Sequence, residues 1–147
     1  MFYVKAVSYT HLNREGRLSE MLKVLKAEDV NIRSLTIAET ADYGVVRLIL
    51  QNTDKGLEAL REAHIMANET NVMAVEIPDR PGGMSDMVEL LTEGGVNIEY
   101  AYSFLPQNTS NAIIIFKIDE DDDEKVREVF DKEPHANLLE SDELLMK

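Results

Sequence analysis

The sequence contains no cysteine, so neither disulfide bonds nor thiolate metal sites are open to it. It also contains no apolar run near the roughly 20 residues that a membrane-spanning helix needs. Its first residues, Met1 to Lys5, alternate as a strand does and lack the basic-then-apolar order of a signal peptide. Motifs for binding a dinucleotide or nucleotide phosphates are absent. Together these absences predict a cytoplasmic protein without a metal or an organic cofactor.

The sequence also has few basic residues compared with acidic ones. The 147 residues include 15 Lys and Arg but 28 Asp and Glu, which gives a formal net charge of −13 and a pI near 4.6. A surface of this sign repels phosphate groups, so the composition predicts that neither nucleic acid nor an anionic membrane is a partner. The 44% of hydrophobic residues is ordinary for a protein with a folded core.

What the sequence does contain is a repeat. The ten residues from Asn13 recur in altered form from Asp79, with identical Arg, Gly, Ser and Met positions and an offset of 66 residues. The same offset aligns the triplets 30–32 and 96–98, both Val-Asn-Ile. A length of 147 residues ordinarily indicates one domain, but an internal repeat overrides that expectation. The chain is therefore predicted to be a tandem duplication with domains at residues 1–70 and 71–147.

Both copies show the same order of predicted elements. A β-rich run, at 4–9 or 72–77, ends at a turn. A helical pattern follows, with apolar residues three or four positions apart at Leu18, Met21, Leu22 and Leu25, and again at Met84, Met87, Val88 and Leu91. Two strands come next, at 31–39 and 44–50 or at 97–105 and 112–118. A second helix and a short strand, at 65–70 or 136–140, complete each copy.

The order β-α-β-β-α-β in both copies predicts an α+β fold made of two ferredoxin-like domains. Each would be an antiparallel sheet with both helices packed on one face. Each half has only about 70 residues, a size at which an isolated core is marginal. We therefore expect the two domains to pair side by side. Exposed sheet edges also favour association with a second copy, so a homodimer is predicted.

The turn after the first strand is the main candidate for a site. In both copies it places glycine just before a helix, at Gly16 and at Gly82-Gly83. Glycine lets the backbone approach a ligand closely, and the first N–H groups of a helix have no partner within it. Those donors, with the positive end of the helix dipole, suit a carboxylate or a phosphate. The alternative is a purely structural tight turn.

A second candidate is the asparagine between two apolar residues after the first helix, Asn31 in one copy and Asn97 in the other. Its side chain can accept a hydrogen bond from an ammonium group while it donates to the backbone. The alternative is a turn-forming residue at the start of the next strand.

This pattern, (Asp/Asn)-Arg-Pro-Gly-Gly-Met-Ser followed by Leu-Leu and Gly-Val-Asn-Ile, resembles the ACT domain, an amino-acid-sensing module of many regulated metabolic enzymes. The resemblance covers nearly the whole chain, once per half, and is strongest from Asp79 to Tyr100. The chain is similar to small stand-alone proteins made only of two ACT domains. The resemblance implies that a free amino acid binds at a domain interface. The glycine turn, the start of the first helix and the loop before the second strand would hold it.

Carried over by position, the resemblance marks eight residues in each half. They are Asn13, Arg14, Glu15, Gly16, Arg17, Leu18, Asn31 and Ile32 in the first half, and Asp79, Arg80, Pro81, Gly82, Gly83, Met84, Asn97 and Ile98 in the second. The first half departs from the family pattern at Asn13, at Glu15 in place of proline, and at Arg17 in place of the second glycine. These changes make its turn bulkier and more charged, so the second half is expected to hold the better site.

Catalysis is the competing interpretation, because ferredoxin-like folds host enzymes as well as binding modules. The three histidines show no pairing with a nucleophile at a recognisable spacing. His11 is interpreted as a polar residue at a strand end. His64 and His135 each follow a second helix, where a histidine suits the negative helix end. Arg14 and Asn31 superficially match an acylphosphatase-type site, which leaves that activity as a minor alternative.

The acidic run from Asp119 to Glu124 is the one candidate for metal binding. Consecutive acids cannot all face one ion, and the run lacks the glycine-bent loop of an EF-hand calcium site. It is therefore interpreted as solvated charge at the start of a helix.

The sequence as a whole predicts a non-catalytic regulatory protein whose ligand is a free amino acid. The ligand would favour one arrangement of the chain that a separate regulated protein recognises. The alternative is a protein–protein interaction module that binds no ligand.

Overall fold

A computed structural model of the protein describes residues 3–12, 14–104 and 110–140. The chain divides into two units, Lys5–Thr70 and Asn71–Lys147, and Met1–Val4 belongs with the latter. We call them the first and the second unit. Among the described helices, the longest has 11 residues, and none is long and apolar enough to cross a membrane.

The first unit follows the β-α-β-β-α-β order. Its elements are β1 (Val4–Leu12), α1 (Arg17–Ala27), β2 (Ile32–Glu39), β3 (Tyr43–Leu50), α2 (Thr53–Glu62) and the start of β4 (Ala67–Pro78). Strand β3 is antiparallel to β1, with Val7 opposite Leu48, and antiparallel to β2, with Leu35 also opposite Leu48. The Asn52 side chain caps α2 by accepting a hydrogen bond from the Lys55 N–H at 3.2 Å.

The second unit repeats this order. It contains the rest of β4, α3 (Gly83–Glu93), β5 (Tyr100–Phe104), β6 (Asn111–Lys117), a 3₁₀ turn (Glu120–Asp122), α4 (Asp123–Asp131) and β7 (Asn137–Leu138). All its strand pairs are antiparallel, in the order β5-β6-β4-β7. The fold class predicted from the sequence, two βαββαβ repeats with antiparallel sheets, is confirmed.

The strands differ from their predicted extents most at β4 and β5. Residues 67–78 form one continuous strand, β4, where two separate strands were expected. No glycine or proline interrupts this stretch before Pro78, so the backbone has no local reason to turn. Strand β5 begins at Tyr100 and not at residue 97, so Asn97 and Ile98 precede the strand.

Equivalent residues build the two cores. In the first unit Met21 and Leu25 of α1 are buried in a cluster with residues of β1 and β3. In the second unit Met87 and Leu91, 66 residues further along, are buried in a cluster with residues of β4 and β6. These four helix residues are 0 or 1% exposed. The predicted apolar stripe of the first helix therefore faces the core in both units, except at Met84, which is 44% exposed.

The two units have different residues just after their first helix, α1 or α3. Asp29 follows α1 in the left-handed region with a φ of 57°, and Gly95 follows α3 with a φ of 77°. The hydrogen bonds are equivalent: Val30 N–H donates to Leu25 O at 3.0 Å, and Val96 N–H donates to Leu91 O at 2.8 Å. A side chain in this conformation costs roughly 1–2 kcal/mol, so the first unit carries a strain that glycine avoids in the second.

We predict that Asp29→Gly stabilises the protein by about 1 kcal/mol, which corresponds to a rise of roughly 2–4 °C in Tm. Gly95→Ala should lower Tm by a similar amount. No atom lies within 4 Å of the Cβ that it adds, so the loss reflects the backbone conformation alone. Thermal unfolding followed by circular dichroism measures both variants. Equal Tm values for Asp29→Gly and the wild type would contradict the prediction.

Tyr3 is an unusual member of the second unit's core. Its ring packs against the apolar cluster, while its hydroxyl is buried without a hydrogen-bond partner among the described residues. Burial, and next the charges of Asp123 and Glu120, raise the pKa of Tyr3 above its ordinary value. A buried polar group without a partner lowers stability, so the hydroxyl is a cost to the fold.

Tyr3→Phe should therefore leave Tm at pH 7 unchanged or raise it. Tyrosine ionises near pH 10 in the unfolded chain, whereas the raised pKa makes folded Tyr3 lose its proton only at higher pH. The wild type should accordingly lose stability as pH rises past that value, and Tyr3→Phe should lose less. Urea unfolding at pH 8 and at pH 10.5 checks this. A variant with the same pH dependence as the wild type would disprove it.

Candidate functional site

The two glycine turns have the same backbone geometry. Gly16 has φ 84° and ψ −12°, and Gly82 has φ 86° and ψ −9°. In the first turn Arg14 N–H donates to Leu12 O at 2.9 Å, and in the second Arg80 N–H donates to Pro78 O at 3.1 Å. The positive φ of each glycine lets the chain leave the strand and begin the helix within a few residues. The repeat in sequence is thus also a repeat in conformation.

Both turns leave a helix N-terminus open. Neither α1 nor α3 has a side-chain acceptor at its N-cap, which is glycine in each case. The N–H groups of Met84 and Ser85 in α3, and of Leu18 and Ser19 in α1, lie in the first turn, where a helix supplies no acceptor. These donors and the helix dipole form a weak anion-binding end in each unit.

Gly83 shows why the two turns are not equal. A Cβ added at Gly83 would lie 2.6 Å from the Pro78 carbonyl oxygen, a backbone atom that cannot move aside easily. The first unit has Arg17 at this position, and its turn is wider. The Arg17 N–H lies 3.5 Å from Arg14 O, whereas the Gly83 N–H lies 3.0 Å from Arg80 O. The hydrogen bond that closes the turn is therefore longer in the first unit than in the second.

The charged residues of the turns have different partners. Arg80 forms an exposed ion pair with Asp86 in the first turn of α3, with an N–O distance of 3.4 Å. Arg17 pairs with Glu20 at 3.6 Å. Arg14 and Glu15 make no side-chain hydrogen bond or ion pair with any described residue, and Asn13 lies outside the described residues. Arg14 is exposed and lies in the turn that precedes α1.

The remaining predicted site residues fall into two groups. Leu18, Ile32 and Ile98 are half-buried and pack against the cores, so each has a structural role. Those on the surface are Asp79, Pro81, Gly82, Met84, Asn31 and Asn97. Neither asparagine side chain has a hydrogen-bond partner within the described residues, and Met84 is 44% exposed.

Each asparagine lies far from the glycine turn of its own unit. In the first unit Ile32, next to Asn31, is opposite Leu50, while His11, near the turn, is opposite Gly44. Six residues of β3 separate these two positions, a distance of about 20 Å at 3.3 Å per residue. The register of β6 gives the same separation in the second unit. The carboxylate and ammonium groups of an amino acid share one carbon, so no single unit can present both groups of predicted residues to one ligand.

His11 is a polar group whose surroundings the sequence did not reveal. Its Nδ1 lies 2.7 Å from the Leu12 carbonyl oxygen, which only accepts, so Nδ1 carries the proton. Its Nε2 is buried and has no hydrogen-bond partner in the described parts of the chain. The ring lies over Gly44, where a Cβ would come within 3.0 Å of it. His11 is thus an acceptor held beside the first glycine turn, and the second unit has Ile77 in its place.

A cavity of about 250 Å³ adjoins the second glycine turn. Its apolar lining comes from Ile77, Met87, Leu90 and Ala136, and Gly83 lies at its edge. Its charged lining comes from Arg80, Asp86, Glu89, Glu93, Glu133 and His135. The volume suits a small ligand, and the cavity combines apolar and charged groups. Glu133 and His135 were not predicted here, because they follow α4, more than 45 residues after the turn.

His64 and His135, which look equivalent in the sequence, have different environments. His64 follows α2 in the left-handed region with a φ of 62°, and its N–H donates to Arg61 O at 3.0 Å. His135 instead lines the cavity, and its N–H lies 3.3 Å from Glu133 Oε1. The shared position after a second helix therefore does not give the two residues a shared role.

The acidic residues are concentrated in one unit. Residues 71–147 contain 18 acidic and 6 basic residues, whereas residues 5–70 contain 10 and 9. Several acids of the second unit have local partners. Asp119 Oδ1 accepts from the Asp121 N–H at 3.0 Å, and Asp123 pairs with Arg127 at 3.0 Å. No cluster of three or more potential metal ligands is found among residues 3–12, 14–104 and 110–140.

Comparison with known proteins identifies the family of the chain. Residues 2–146 match the model of a family described as an ACT domain pair. A protein from Bacteroides thetaiotaomicron has a similar crystal structure, with 34% identity and a TM-score of 0.88. The match covers 99% of this chain and 98% of that one. No curated protein matches the sequence.

Two more distant structures share the fold. The ligand-free regulatory subunit of aspartate kinase from Thermus thermophilus is 13% identical, with a TM-score of 0.63 over 90% of this chain and 93% of that one. Escherichia coli aspartokinase III, solved in complex with lysine and aspartate, is 14% identical with a TM-score of 0.50. That match covers 89% of this chain and 31% of the aspartokinase.

The close approach at Gly83 gives a test of the second turn. Gly83→Ala should destabilise the protein by about 1–3 kcal/mol, because the new methyl group overlaps a backbone carbonyl. The matched variant Arg17→Ala, at the equivalent position of the first unit, should change stability by less than about 0.5 kcal/mol. Urea denaturation compares the two. If both variants are as stable as the wild type, the inference that Gly83 has no room for a methyl group is wrong.

Proposed function

The chain belongs to the family of ACT domain pairs, and from that membership we propose that it is a regulatory protein that binds a free amino acid. Its two ACT domains would be residues 1–70 and 71–147. It would act in the cytoplasm by binding and not by catalysis. Its target would be a separate protein, as the name regulatory subunit states for the related aspartate kinase chain of Thermus thermophilus.

One observation carries this proposal: the same open helix N-terminus occurs twice, after glycines whose φ values differ by 2°. A structural turn would be served equally well by a capped helix, and Ser, Thr, Asp or Asn at the N-cap would stabilise it more. Glycine leaves the N–H groups to an outside acceptor. An amino acid carboxylate is such an acceptor.

The second unit offers complementary groups for both ends of a zwitterion. The N–H groups of Met84 and Ser85 and the guanidinium of Arg80 suit a carboxylate. Glu89 and Glu133, in the lining of the adjoining cavity, suit an ammonium group. The cavity volume of about 250 Å³ restricts the ligand to a small molecule.

The first unit offers a different set. Arg14 supplies an exposed positive charge beside α1, and His11 Nε2 supplies an acceptor without a partner among the described residues. The hydrogen bond across its turn is longer, 3.5 Å against 3.0 Å in the second unit. We therefore propose that the two turns bind with different affinities or select different ligands, with the second turn as the principal site.

The regulatory mechanism would be thermodynamic linkage between ligand binding and recognition by the partner protein. A ligand that contacts the chain better in one arrangement shifts the population toward that arrangement, and a partner that recognises it responds. E. coli aspartokinase III, which shares the fold, was solved with amino acids bound. That complex supports amino acids as the ligand class to test first.

The strand register argues against the acylphosphatase alternative. That activity requires Arg14 and Asn31 in one site, and the register separates their ends of the first unit by about 20 Å. An interaction module without a ligand stays the second candidate, because the exposed helix ends and sheet edges would also serve a protein partner.

The first experiment is a thermal-shift screen against each of the twenty amino acids at millimolar concentration. A ligand at about a hundred times its Kd adds roughly 2.7 kcal/mol, which raises Tm by several degrees. Ser85→Asp places a fixed carboxylate in the first turn of α3, where it stabilises the helix but competes with the ligand. We expect it to abolish the shift, and the matched variant Ser19→Asp in α1 to reduce it less.

The outcomes separate the candidates. If no amino acid raises Tm, the interaction module takes precedence. If an amino acid raises Tm equally in the wild type and both variants, a ligand binds but the glycine turns are not its site. A shift lost only in Ser19→Asp would assign the principal site to the first unit.

A further inference from the structure

The cavity beside the second glycine turn has an apolar floor. Ile77, Met87 and Ala136 line it and are 4%, 1% and 7% exposed, so their side chains belong to the core of the second unit. Its volume of about 250 Å³ is small for a ligand pocket. The floor therefore suits a short aliphatic chain, which buries apolar surface there without requiring a hydrogen bond.

The charged groups around this floor do not balance one another. Among the described residues that line the cavity, Arg80 alone has a permanent positive charge, and its guanidinium pairs with Asp86 at 3.4 Å. The lining has three further carboxylates, those of Glu89, Glu93 and Glu133. Glu89 and Glu93 lie one turn apart on α3, a spacing at which like charges destabilise a helix. A cation bound between the carboxylates would relieve that repulsion.

The first unit shows that the fold itself does not need these acids. At the offset of 66 residues, Glu89 corresponds to Lys23 and Glu93 corresponds to Ala27, in the equivalent helix α1. Helix α1 nevertheless buries the equivalent apolar residues against its sheet. The acidic lining is therefore a property of the second unit alone, and the packing of the helix does not explain it.

We propose that this cavity binds a primary alkylammonium group, the chemistry of a lysine-like side chain or of a free diamine. An ammonium group has three N–H donors, so each of the three glutamates can accept one. The aliphatic chain would lie on the apolar floor. In a basic amino acid, the carboxylate would then reach the N-terminus of α3, since Gly83 lines the same cavity. This inference rests on the proposed function and adds to it the chemical class of the ligand.

Three probes test the ligand class by isothermal titration calorimetry of the full chain at physiological ionic strength, where distant surface charges are screened. Lysine has the side-chain amine and the carboxylate, norleucine lacks that amine, and cadaverine keeps both amines without the carboxylate. We expect lysine to bind at least about tenfold more tightly than norleucine, because the amine supplies charge-assisted hydrogen bonds. Cadaverine that binds as tightly as lysine would identify a free diamine as the ligand, and weaker binding would identify a basic amino acid.

Variants of the lining test the site itself. Glu89→Lys gives the second unit the residue type that the first unit already has at this position, and it should weaken lysine binding about tenfold or more. Glu133→Gln removes one carboxylate at nearly constant shape and should have a smaller effect in the same direction. Glu58→Lys is the matched control, because this exposed residue of α2 makes the same change in net charge within the other unit. It should leave lysine binding within about twofold of the wild type, and circular dichroism confirms that each variant is folded.

Norleucine that binds as tightly as lysine would overturn the inference, since the side-chain cation would then contribute nothing. An equal loss of binding in Glu89→Lys and Glu58→Lys would also overturn it, because the overall charge of the chain would explain the attraction. If a neutral amino acid raises Tm but neither lysine nor cadaverine binds, this inference fails and the proposed function stands. If no amino acid and no diamine binds, both fail.

Discussion

A glycine with positive φ joins strand to helix in each half, and the rest of each unit depends on that junction. Gly16 and Gly82 allow the helix to start directly above the sheet. Met21 and Leu25, or Met87 and Leu91, thereby face the strands and become buried. The same conformation leaves the first N–H groups of the helix without a side-chain cap. One backbone constraint therefore sets both the packing of the core and the chemistry of the candidate site.

The two units are more alike in their cores than on their surfaces. The two cores use equivalent positions, and the hydrogen bonds at the turns and helix ends repeat at the same offset. Two differences lie at the turns and helix ends, Arg17 against Gly83 and Asp29 against Gly95, and a third sets His11 against Ile77. The first two change the local backbone, whereas the third replaces a polar side chain by a buried residue of the second unit's core. Two units of one fold can in this way present different charges and different ligand contacts.

Local sequence patterns predicted the helices and strands because the spacing of apolar residues that marks each one involves only residues close together in the chain. The stripe from Leu18 to Leu25 and the Val-Asn-Ile triplets were enough to place helices, strands and the repeat. The late start of β5 was not predictable, because it depends on which backbone groups meet β6 and not on the residues from Asn97 to Glu99. His135 beside the second turn was likewise hidden, since only the fold brings the end of α4 to the start of α3.

The candidate site is where local reasoning reaches least far. The resemblance predicts that a glycine turn and an asparagine contact a ligand at a domain interface, and the strand register places the two at opposite ends of each unit. The carboxylate and ammonium groups of an amino acid share one carbon, so one ligand cannot span that separation. The glycine turn is therefore the part of the predicted site that a unit presents by itself, and the asparagine of the same unit lies outside it.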